Sequence, residues 1–70
     1  MGILVTDIYP GAQFKQDGSL KTLVVDLIND ESRVFFHNFD DVTGDEDVHQ
    51  NEIFGSFIFL LNTAGYNKIN

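Results

Sequence analysis

Seventy residues without a cysteine make one domain, residues 1–70, that has neither disulfides nor thiolate-bound metal to hold it together. Eleven carboxylates against four lysines and arginines give a formal net charge of −7, which excludes direct nucleic-acid binding by neutralisation of phosphates. The longest apolar run, Phe57–Leu61, is far too short to span a membrane, and no basic region followed by an apolar stretch marks a signal peptide.

A cytoplasmic protein without membrane contact is therefore expected, and the absent cysteines fit a reducing compartment. The opening Met1-Gly2-Ile3-Leu4-Val5-Thr6 matches the myristoylation pattern in form, but no polybasic patch follows to complete an anchor. Seven phenylalanines point to a core that is unusually apolar for its size, or to one completed by a second subunit.

Along the chain, Ile3–Tyr9 reads as a strand closed by the turn dipeptide Pro10-Gly11. Gln13–Gln16 either extends it or begins a short strand of its own. Asp17-Gly18 predicts a type I′ hairpin turn into a long strand, Leu20–Ile28. Alternation there sets Leu23, Val25 and Leu27 on one face and Thr22, Val24, Asp26 and Ile28 on the other. After the polar turn Asn29–Ser32, Arg33–Phe39 is a third strand, with Phe35, His37 and Phe39 on one face and Val34, Phe36 and Asn38 on the other. Both faces of these strands carry apolar side chains, more than a sheet covered on one side requires.

A helix is expected for the rest. Thr43-Gly44-Asp45-Glu46 fits a capping box, and Asp45, Glu46 and Asp47 suit the positive end of a helix dipole. Ile53, Phe54, Phe57, Ile58, Leu60, Leu61 and Ala64 recur at helical spacing, and Gly65 is placed to end the helix in a left-handed conformation. Ile53–Phe59 taken alone also suits a strand. Caps at both ends favour the helix. The expected fold is α+β: a small antiparallel sheet of three strands, four if Gln13–Gln16 counts, packed against one C-terminal helix in the order β-β-β-α.

The chemistry-bearing stretch is Asn38–Glu52, which holds Asp40, Asp41, Asp45, Glu46, Asp47 and Glu52 and no lysine or arginine. As an EF-hand loop counted from Asp41 it would use Asp41, Thr43, Asp45 and Glu52, but Glu46 stands where the obligatory glycine belongs. A transition-metal set could draw on His37, His49, Asp45 and Asp47, yet two histidines twelve residues apart match no short zinc spacing. No nucleophile elbow, phosphate-binding glycine loop or HExxH appears. No metal, cofactor or enzymatic activity is expected.

What remains is recognition. The six carboxylates are expected to form one negative end of the domain, able to accept arginines or to imitate a run of phosphates. The bland counterpart is a solvated helix start that keeps a Phe-rich chain soluble. Phe59, with Leu60 beside it, exceeds what one helix stripe buries and is expected on the outer side as an apolar anchor. The expected function is a non-enzymatic binding protein, an inhibitor or modulator that docks through Asp40, Asp41, Asp45, Glu46, Asp47, Glu52 and Phe59 on a basic surface of a larger protein. Small acidic domains without cysteine are common among phages and mobile elements, and many act in that way; the analogy is one of size and charge alone. The alternatives are a homo-oligomeric (for instance homodimeric) accessory protein whose acids only solubilise, and a weak calcium-binding module.

Overall fold

The computed structural model of the protein describes residues 2–70: one antiparallel sheet of five strands with one helix against it. In chain order the elements are β1 (Gln13–Gln16), β2 (Lys21–Ile28), β3 (Arg33–Asp40), β4 (Gln50–Ile53), α1 (Phe54–Thr63) and β5 (Tyr66–Lys68). The class is α+β, as expected, but the helix falls between the fourth and fifth strands instead of closing the chain. Strands one to four form a meander, and the spatial order is β4-β3-β2-β1-β5. From one edge strand to the other is roughly 19 Å at the usual strand spacing. The ten residues of α1 span about 15 Å, so the helix bridges most of that width and returns the chain to β1. It is not long enough to cross a membrane.

One face of the sheet meets the helix. Phe14, Leu23, Val25, Val34 and Phe36 supply the sheet side of the core, and Phe57 and Leu61 the helix side, with Ile3, Ile8 and Ala12 closing it. The rings of Phe36 and Phe57 meet at 4.8 Å between centroids in a tilted arrangement, a favourable aromatic geometry. Gly65, at φ 74°, ends the helix in the left-handed region as its position predicts.

Three local expectations are overturned. Ile3–Tyr9 is not a strand. Val5–Asp7 forms a 3-10 turn, because the Asp7 carboxylate accepts the Leu4 N–H at 2.8 Å and competes with an extended backbone. Asn62 then ties this segment to the helix, accepting from the Ile3 N–H at 2.7 Å and donating to the Ile3 carbonyl at 3.2 Å. The Asp17-Gly18 turn has positive φ at Gly18 alone, the pattern of a type II rather than a type I′ turn.

The third correction concerns β2. Its pairing with β3 shifts between Val25 and Leu27, so Asp26 is the extra residue of a β-bulge. One inserted residue reverses the alternation beyond it. Leu27, expected on the face of Leu23 and Val25, is 48% exposed on the opposite face, while Ile28 packs against the core.

Candidate functional site

The helix does not begin at Thr43. Asp40 accepts the N–H groups of Val42 and Thr43 on one carboxylate oxygen, at 2.8 and 3.0 Å, and folds the chain into an Asx turn. Gly44 follows at φ 79°, and the chain turns back along β3, where Glu46 bridges to Phe39. The Thr43 hydroxyl accepts from the Asp45 N–H at 3.2 Å, two residues on, and not from the Glu46 amide that a capping box requires. Extended chain and β4 thus occupy the span expected to be the first turns of the helix. The first amide of α1, on Phe54, instead donates to the Ser32 carbonyl at 2.7 Å. No acidic residue lies in the first turn of α1.

Every residue from Asp41 to Ile53 is exposed, and the six carboxylates, five in this hairpin and Asp40 at the end of β3, have different surroundings. Asp40 is held below the ordinary carboxylate range by the two amides it accepts. Asp41 is lowered by the Lys15 ammonium and by the Thr22 hydroxyl, which donates to it at 2.6 Å. Asp47 pairs with Lys21 at 2.7 Å, which raises the lysine. Glu46 faces two imidazoles. Asp45 and Glu52 make no side-chain hydrogen bond or ion pair among the described residues. Six carboxylates against two lysines leave a negative surplus, spread over an extended hairpin and not a helix end.

Beside this hairpin lies the second face of the sheet. The register puts Thr22, Val24 and Leu27 of β2, Phe35, His37 and Phe39 of β3, and Asn51 and Ile53 of β4 on it. The molecule is a slab only 17 Å through its shortest Cα extent, room for one sheet and one helix layer. Among the described residues no second helix or sheet covers this face, though Asp41 and His49 lie against its buried Thr22 and His37, and Val24, Phe35 and Phe39 are half-buried. Phe59, 68% exposed, stands on the outer side of α1, across the sheet from the hairpin. The structure therefore gathers the six acids into one segment but sets Phe59 apart from them. On the second face of the sheet Phe39 is bridged to Glu46, while Leu27, Phe35 and Ile53 lie farther along the strands.

Where hairpin and sheet meet, four titratable groups converge. The rings of His37 and His49 stack at 4.3 Å, inclined by 20°. Asp26, on this face with Thr22 and Val24 as alternation places it, lies 3.0 Å from His37 Nδ1 and 3.2 Å from His49 Nδ1. Glu46 lies at the other end of both rings, 3.3 Å from His49 Nε2 and 3.6 Å from His37 Nε2. Of the transition-metal set weighed from sequence, the two histidines do meet. Their carboxylate neighbours are Asp26 and Glu46, not Asp45 or Asp47. Alternation already sets Asp26 on the face of Thr22 and Val24, but only the β2–β3 register brings that face together with His37. No family model, curated protein or solved structure matches the chain.

Proposed function

We propose that the protein is a non-enzymatic binding module that docks on a basic surface of a larger protein, such as a nucleic-acid-binding groove, and inhibits or modulates it. The observation that carries this reading is the exposed hairpin Asp41–Ile53, which has no cation of its own and borders an open apolar sheet face. Charge steers the approach and sets specificity, while Leu27, Phe35 and Ile53 supply area to be buried on contact. Asp45 and Glu52 can accept arginines at no cost in internal bonds. Asp41 and Asp47 would first have to give up lysines, and Asp40 its turn. Phe59 serves as an anchor only for a partner that also reaches the helix side.

The test is capture from a lysate of the source organism at low and high salt, with duplex DNA added as competitor. The expected result is one basic protein, released by salt and by DNA, whose capture falls when Asp45 and Asp47 are both replaced by lysine. Capture of the same protein undiminished by those substitutions, or insensitive to salt, would overturn the reading. A second reading, self-association through the sheet, is favoured by the same open face, since two copies could each supply the layer the other lacks.

A further inference from the structure

With neutral rings, the His37–His49 stack lacks the hydrogens for all its carboxylate contacts. Two neutral imidazoles carry two N–H groups between them, one on each ring. Four ring nitrogens face carboxylate oxygens here, at 3.0, 3.2, 3.3 and 3.6 Å. In the neutral pair, two of those contacts set a nitrogen lone pair against a carboxylate lone pair. A cation at the right place removes the conflict.

We infer that Asp26, His37 and His49 form a binding site for one divalent transition-metal ion of the zinc type, with Glu46 orienting both histidines from behind. The geometry assigns the two ends of the stack different roles. At the Nδ1 end, one carboxylate stands 3.0 and 3.2 Å from the two nitrogens. Ligand atoms bound tetrahedrally to zinc at about 2.0–2.1 Å lie roughly 3.3 Å apart, so a small outward movement opens the space the ion needs. All three ligand atoms already lie within 4.8 Å of one another. At the Nε2 end, Glu46 is within hydrogen-bond distance of His49 at 3.3 Å, and the same oxygen stands 3.6 Å from His37, so a small shift lets it accept from both rings. Metal-bound histidines commonly donate their remaining N–H to a carboxylate in this way, which fixes the tautomer with Nδ1 free to bind. With the ion at the Nδ1 end, both Nδ1 lone pairs face the metal and both Nε2 hydrogens lie on the Glu46 side.

The stacked rings must splay so that their in-plane lone pairs converge. His49 can do this, being on the exposed hairpin with a side chain 61% accessible, while His37, 9% exposed, stays fixed in the sheet. Three protein ligands leave a fourth position for water or for a partner's side chain. Binding would pin the hairpin to the sheet. The inference does not depend on the docking reading, since it concerns a different set of side chains and needs no partner.

The experiment titrates chelator-stripped protein with zinc by calorimetry, and with cobalt by visible absorption. The expected result is one ion per chain, a tetrahedral cobalt spectrum, and a melting temperature that rises with zinc. His49→Gln, at an exposed position, should remove stoichiometric binding while the circular dichroism spectrum is unchanged. Glu46→Gln should weaken binding about 10- to 100-fold, and Asp45→Asn, outside the site, should leave it intact. Failure to bind one equivalent, or binding that survives His49→Gln and so belongs to scattered carboxylates, would overturn the assignment.

Discussion

The Asp40 carboxylate accepts two backbone amides, and both bonds favour its ionised form. Its folded-state pKa therefore lies below the unfolded value of about 3.9, and the folded state holds fewer protons through the acid range. The stabilisation is complete above the unfolded pKa and is lost as pH falls through the folded one. Asp41, lowered by Lys15 and Thr22, acts in the same direction. Thermal melts between pH 2 and 6 should show a steep acid limb that becomes shallower in Asp40→Asn. Asparagine keeps an oxygen for the two amides but does not titrate, so an unchanged limb would assign the acid sensitivity to other groups. Asp40 also shows why the acidic stretch is misread from sequence. An aspartate followed by threonine and glycine serves a helix start or an Asx turn equally well, and the choice falls to Gly44, whose left-handed φ redirects the chain onto β3.

Among elements, α1 separates its two exceptional phenylalanines cleanly. Phe57 is fully buried against Phe36, and Phe59 faces solvent. Phe57→Ala should cost about 3–5 kcal/mol, which is the whole of what a single core of this size usually supplies. That variant is expected to be unfolded by circular dichroism at 25 °C. Phe59→Ala should stay within about 0.5 kcal/mol of the parent. The period of the apolar residues carried this much in advance, including the outward Phe59 and the Gly65 terminator. The meander of β2 and β3 was also legible, from alternation and turn residues. The bulge was not, since Asp26 in an otherwise apolar strand reads as an ordinary outward residue, and only the pairing partner shows that it is supernumerary. With the bulge went Leu27, and with Leu27 the composition of the open face. The Asp26–His37–His49 cluster was hidden for a different reason. The two histidines are visible in the sequence, but their meeting needs a hairpin where the residues equally suit a helix cap.

At the scale of the molecule, one helix for a sheet apolar on both sides leaves an unequal slab. If two copies share the open face, sedimentation should show a dimer that dissociates when Leu27 is replaced by lysine, with the fold intact because Leu27 lies outside the core. If the face is kept for a different partner, parent and variant should both sediment as monomers. The sheet order has a further consequence, for the time course of synthesis. Gln16 of β1 pairs with Tyr66, fifty residues downstream, so β1 cannot acquire its outer neighbour until nearly all of these residues have been made. On the ribosome, the meander must wait with the inner strand Gln13–Gln16 as a bare edge, while Phe57 and Leu61, which close the core over it, are still within the exit tunnel or not yet translated. The hairpin with its carboxylates precedes both. A growing chain that cannot yet bury its phenylalanines thus already carries much of its negative charge, which opposes edge-to-edge pairing of unfinished sheets.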